Sequence, residues 1–150
     1  MRHMPDLYDP LKLDNQLCFP LYACSKEIIN RYRPYLDDLD LTYTQYIVMM
    51  VLWEEKEMNC RDLCRRLYLD TGTLSPLLKK LECKGYIVRN RSEDDERNLI
   101  ISLTEEGMAL RDRAVDVPKN IACCVDLSKE EAATLYGLLY KVLSGMTMND

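Results

Sequence analysis

Apolar residues recur at helical spacing over most of the chain and alternate with polar ones in only one short stretch. Leu17, Leu21, Ile28 and Ile29 predict a long first helix over about 15–37, with Asp14 as its cap. Pro34 lies near its end. Pro20 lies inside its beginning, where it removes the bond to the Gln16 carbonyl and should start, bend or loosen the helix. Thr42 and Gln45 have capping-box spacing ahead of a very apolar segment to Trp53, which reads as a buried helix. A short third helix fits residues 60–68. Asp70-Thr71-Gly72-Thr73 reads as a polar turn, after which Leu74, Leu77, Leu78 and Leu81 carry a helix until Gly85 stops it. Two short helices around a tight glycine-containing turn have the form of a helix-turn-helix.

The period then changes. Leu99, Ile101 and Leu103 alternate with smaller or polar neighbours, and residues 86–91 can pair with them across the turn 92–96, giving a β-hairpin wing. Thr104 caps a helix to about Cys124, interrupted near Pro118, and Ser128 with Glu131 forms a capping box for a last helix to Gly145. No repeat or linker divides the chain. The fold class is mainly α with a small β-hairpin wing (α+β), a winged helix-turn-helix, in a single domain over 1–150 with the winged part at about 42–103.

Composition narrows the function classes. With 150 residues, 47% hydrophobic and 30% charged, the chain can bury an ordinary core without a metal or disulfide. The longest apolar run, Ile47 to Trp53, is too short to span a bilayer, and no apolar stretch follows Arg2 and His3, so a cytoplasmic chain with no membrane partner is expected. Seven cysteines in such a compartment read as buried hydrophobes, metal ligands or redox groups rather than a disulfide framework. The only histidine is His3, no nucleotide loop occurs and no Ser/His/Asp set can be assembled, so neither an enzyme nor a bound cofactor is expected.

A net charge of −5 argues against nucleic acid until its distribution is considered. Residues 60–97 hold nine basic and seven acidic side chains against 11 and 18 elsewhere, so basic charge is concentrated in the middle third. On the helix after the turn, the leucines occupy one face and leave Thr73, Ser75, Lys79, Lys80 and Lys84 on faces that can meet a major groove. Taken alone, the same pattern fits any amphipathic surface helix. Arg89, Arg91 and Arg97 sit on or beside the hairpin, where a guanidinium could enter the minor groove. The run Glu93-Asp94-Asp95-Glu96 at the tip should repel phosphate unless paired, and Asp95 is expected to brace Arg97; a solvated turn is the plain alternative.

The run Leu69-Asp70-Thr71-Gly72-Thr73-Leu74-Ser75-Pro76-Leu77-Leu78-Lys79-Lys80-Leu81-Glu82, followed by Asp94-Asp95-Glu96-Arg97, resembles the recognition helix and wing of MarR regulators. Asp14-Asn15-Gln16-Leu17-Cys18-Phe19 and Leu41-Thr42-Tyr43-Thr44-Gln45-Tyr46 are similar to its organic-hydroperoxide-sensing (OhrR-like) branch, and the resemblance covers about residues 13–145. It implies a repressor that binds a pseudo-palindromic double-stranded DNA operator as a homodimer. The helices at about 14–40 and 105–145 would form the dimer interface.

Cys18 lies in or just before the first turns of the long helix, whose positive end favours the reactive thiolate; position alone equally fits a buried small hydrophobe. Tyr32 lies fourteen residues on, about 21 Å along a continuous helix, out of reach of Cys18 in the same chain. The resemblance implies that Tyr32 and Tyr43 match the two phenols that hydrogen-bond the reactive cysteine of the other subunit. It also implies that organic hydroperoxides oxidise Cys18 and that Cys123 resolves the sulfenic acid between subunits. Adjacent Cys124 is the fallback, and a small thiol could cap Cys18 if neither serves. Pro20 departs from the family pattern. Cys60 and Cys64, one helical turn apart, could share a metal, but they lie on an apolar face with Leu63 and Leu67, so core packing is the better reading; Cys24 and Cys83 read as packing or incidental. The rival functions are a repressor controlled by a small aromatic ligand and a thiolate metal sensor.

Overall fold

The computed structural model describes residues 7–95 and 97–147, so His3 and Glu96 lie outside the described residues. The chain separates into two compact units, divided after Pro118. In the first unit, 3-10 turns at Asp9–Leu11 and Leu13–Asn15 precede α1 (Cys18–Asp37) and α2 (Tyr43–Glu55). Then come β1 (Glu57–Asn59), α3 (Cys60–Leu67), α4 (Thr71–Cys83), β2 (Ile87–Arg91), β3 (Leu99–Leu103) and α5 (Glu105–Ala114). The short α6 (Val117–Ala122) spans the division, and the second unit carries α7 (Lys129–Thr147). Among the described residues, no helix is long and apolar enough to cross a membrane.

The long first helix starts later than its sequence suggests. Asp14 lies in a 3-10 turn, and the residue preceding the helix is Leu17, which supplies no side-chain cap. Pro20 is therefore the third residue of α1, in the first turn, where backbone N–H groups have no intrahelical partner to lose. The expected bend has no cause there.

The helix α2 begins with the expected capping box: Gln45 N–H donates to Thr42 Oγ1 at 3.3 Å and Thr42 N–H donates to Gln45 Oε1 at 3.0 Å. Val48, Met49 and Leu52 are fully buried beneath it. The wing is a three-stranded antiparallel sheet rather than a lone hairpin, in the order β1-β3-β2. The additional strand β1 pairs Met58 with Ile101, and three residues are too few to display an alternating period in the sequence. Hairpin pairing runs from Ile87 opposite Leu103 to Arg91 opposite Leu99.

Leu63, Leu74, Leu78, Leu81 and Ile101 are fully buried and fasten helices and sheet into one core. Two glycines are required by geometry. Gly85 turns the chain into β2 with φ +80°, and a Cβ on Gly107 would stand 2.0 Å from the Tyr86 carbonyl oxygen. The Gly107 carbonyl in turn accepts a 2.8 Å hydrogen bond from Trp53 Nε1, joining α5 to α2.

The predicted interruption near Pro118 is a break at 115–116, with Pro118 the second residue of α6, and α6 ends at Ala122 rather than Cys124. In the second unit, Ser128 N–H donates to Glu131 Oε2 at 2.8 Å and Glu131 N–H donates to Ser128 Oγ at 3.1 Å, the expected capping box. Gly145 does not stop α7, which continues to Thr147.

Candidate functional site

The helix-turn-helix is built by α3 and α4. Tyr68, in the left-handed region at φ 53°, ends α3, and the Leu69 N–H returns to the Cys64 carbonyl at 3.0 Å. Asp70 is the cap of α4, not part of a polar turn: its carboxylate accepts from Thr73 N–H at 2.7 Å and Thr73 Oγ1 at 3.0 Å. Those bonds hold the Asp70 carboxyl below its ordinary range. Thr71, Gly72 and Thr73 are thus the first turn of α4, with the Asp70 carboxylate holding its backbone N–H end.

With Leu74, Leu77, Leu78 and Leu81 buried, Thr73, Ser75, Lys79 and Lys80 are exposed on the other faces of α4. Lys84 is placed differently from its expectation. Its Nζ donates to the Asp40 carbonyl and to Gln45 Oε1 at 3.3 Å and pairs with the Asp40 carboxylate at 3.3 Å, tying α4 to the turn before α2. The ammonium is spent inside the unit because α4 ends beside that turn.

The wing arginines also divide. Arg89 Nε and Nη2 both donate to Glu82 Oε2, at 2.9 and 2.7 Å, while Arg89 N–H donates to Glu82 Oε1 at 2.9 Å. The guanidinium expected to probe a groove therefore braces the wing against α4, and the pairing holds the Glu82 carboxyl below its ordinary range. Arg91, at the end of β2, and Arg97, beyond the hairpin turn, are exposed. Asp95 does brace Arg97, but through the backbone: Asp95 Oδ1 accepts Arg97 N–H at 2.9 Å. Asp95, Arg97 and Asn98 line a polar cavity of about 390 Å³ with Asn59, Arg61, Asp62 and Arg65. Arg61 and Arg65 went unnamed in the sequence, where the basic excess of 60–97 was their only signal.

A winged helix-turn-helix of this construction has close relatives. The family profile "Transcriptional regulator SarA/Rot" matches residues 30–114. The organic hydroperoxide resistance transcriptional regulator of Bacillus subtilis (strain 168) is 46% identical over 140 residues, covering 93% of this chain and 95% of the relative. The chain belongs to the MarR-type winged-helix regulators, in the organic hydroperoxide resistance branch. It is a DNA-binding transcription regulator, and its relatives are regulators rather than enzymes. The regulator is also 47% identical to the HTH-type transcriptional regulator SarZ of Staphylococcus aureus (strain MRSA252) over 132 residues, 88% of this chain and 89% of SarZ. Its fold matches reduced AbfR bound to DNA, with TM-score 0.76, 33% identity and coverage of 92% of this chain and 96% of that one. AbfR, a protein of Staphylococcus epidermidis, has also been solved in a disulfide form and in an overoxidized form bound to DNA.

The regulator's thiols occupy distinct settings. Cys18 is the first residue of α1 and is exposed. Tyr32 of α1 and Tyr43 of α2 pack with ring centroids 5.0 Å apart, and Tyr46 joins them at 5.8 and 6.4 Å. Burial raises the hydroxyls of Tyr32 and Tyr43 above their ordinary value, and burial with the neighbouring phenols pushes Tyr46 up to about 12. All three remain neutral hydrogen-bond donors at physiological pH. Cys123 and Cys124 are exposed just after α6, and Cys124 Sγ donates to the Asn120 carbonyl at 3.6 Å. Cys24 and Cys83 are exposed too, which leaves the incidental reading rather than packing within the chain. Among the described residues, no group of three or more His, Cys, Asp or Glu could hold a metal ion.

Proposed function

We propose that the protein is a cytoplasmic homodimeric repressor that leaves a pseudo-palindromic operator when an organic hydroperoxide oxidises Cys18. One observation carries this reading: an exposed cysteine heads α1 while the phenol pair that could stabilise its thiolate lies a helix length away in the same chain. Only a second copy, its α1 running antiparallel, brings Tyr32 and Tyr43 to that sulfur. The apolar side chains left on α1 and α7 support such pairing: Phe19 is 43% exposed, Ile29 39%, Leu138 55% and Met146 67%.

In the reaction the Cys18 thiolate attacks the peroxide oxygen, the O–O bond breaks, an alcohol leaves and the sulfur becomes a sulfenic acid. The Cys123 thiolate of the other subunit then displaces water and forms an intersubunit disulfide. Cys123 is preferred to Cys124 because the latter's sulfur is engaged by the Asn120 carbonyl. The cross-link pulls the dimerisation helices and changes the spacing of the two α4 helices, with Thr73, Ser75, Lys79 and Lys80 facing the major groove and Arg91 and Arg97 beside the minor groove. Lys84, Arg89 and Asp95 shape this surface from behind. AbfR supports the redox reading through its disulfide form.

The test is operator binding by wild type and Cys18→Ser, on DNA recovered by in vitro selection, with and without cumene hydroperoxide. Wild type should release DNA and run as a cross-linked dimer on a non-reducing gel, and Cys18→Ser should do neither. Release of the serine variant by peroxide would overturn the assignment.

A further inference from the structure

The helix α3 carries two half-buried thiols, Cys60 and Cys64, four residues apart and so on one helical face. The Cys64 sulfur lies 3.9 Å from Oγ1 of Thr71, the first residue of α4. Cys60 directly follows β1, the strand that completes the wing sheet. The pair therefore lies between the start of the DNA-reading helix, touched by Cys64, and the end of β1, which Cys60 follows. The Cys18 chemistry makes no use of either thiol.

The donor count decides what such a pair can hold. A tetrahedral cation wants four ligands, and among the described residues no third His, Cys, Asp or Glu joins these two. A thiophilic centre that needs only two protein sulfurs is served. A trivalent arsenical that keeps its organic substituent is of that kind.

We propose that Cys60 and Cys64 form a dithiol site for trivalent organic arsenicals, and that occupation of this site lowers operator affinity independently of Cys18. With an arsine oxide, two As–S bonds form and the As–O bond breaks, and the oxygen leaves as water carrying both thiol protons. No oxidation state changes, so no oxidant is required. Burial, and then the neighbouring Cys64 thiol, push the Cys60 thiol up, with Arg89 opposing. A protonated thiol is a poor nucleophile toward peroxide, so Cys60 is not a second peroxide centre, while chelation by two sulfurs holds the arsenic once both As–S bonds have formed. The bound group must take up space beside Thr71, which moves the first turn of α4.

The probe is phenylarsine oxide, added to the reduced full-length chain carrying Cys18→Ser, Cys123→Ser and Cys124→Ser, so that neither the peroxide thiol nor the adjacent pair can take it. Intact mass should show one adduct per chain, equal to the probe less one water, and operator affinity should fall about fivefold or more on loading. Adding Cys60→Ala or Cys64→Ala should abolish both effects, with circular dichroism confirming that these variants are folded. An adduct that survives either substitution in folded protein, no adduct at all, or a loaded protein that binds operator as tightly as before would each overturn the proposal.

Discussion

Leu74, Leu78 and Leu81 of α4 are fully buried, whereas Leu135, Leu138 and Val142 of α7 stand 44%, 55% and 41% exposed. The two helices have similar apolar spacing, and no residue of α7 is buried. In the first, apolar area is removed from water within the chain, and each buried leucine stabilises by about 1.5–3 kcal/mol. In the second, the apolar side chains find no cover within their own unit. The reading head is thus closed within the first unit, whereas α7 by itself presents an uncovered apolar side.

The contrast can be broken from either side. Leu78→Ala should destabilise the reading head by about 2–5 kcal/mol, measured by urea unfolding, because it opens a cavity in a closed core. Leu138→Asp should leave the reading head folded by circular dichroism yet weaken self-association about 100-fold in sedimentation, since a charge would have to be buried at the interface. A monomer–dimer equilibrium unmoved by Leu138→Asp would mean that α7 is not the interface. Thr42→Ala removes the cap of α2 and should cost about 1 kcal/mol in the same urea measurement without affecting association.

The smallest effect is acidic. The folded carboxyls of Glu82 and Asp70 lie below their ordinary values of 4.5 and 3.8, so their contribution to stability is complete above those values and is lost as pH falls through the lower folded ones. Unfolding of the reading head followed against pH should be flat from neutrality down to those values and then decline. Glu82→Gln should remove the wing's share of that decline and weaken operator binding several-fold by loosening β2 from α4.

Most of the helices were legible because their signals are local. The Thr42–Gln45 and Ser128–Glu131 boxes and the α4 leucines are complete within a few residues of sequence. Asp14 misled for the opposite reason: a capping residue type before an apolar run resembles a cap whether or not the backbone enters a helix there, and here it enters at Cys18. In the candidate site, Ser75, Lys79 and Lys80 were readable as exposed once the leucines fixed the buried face of α4. Lys84 and Arg89 were not, because each positive charge found a carboxylate that the sequence gives no means of choosing.

By itself, the sequence determined which segments are helical, which face of each is apolar, and that a helix-turn-helix precedes a hairpin, since these follow from side-chain period and capping along a continuous stretch. Tertiary structure alone decided that β1 completes the sheet, that Glu82 captures Arg89, that Asp40 and Gln45 hold Lys84, and that Cys64 meets Thr71 at the start of α4. Those outcomes depend on which groups distant in the chain come within a few ångströms, and charge and hydrogen-bond energies at that range are set by geometry that no local pattern encodes.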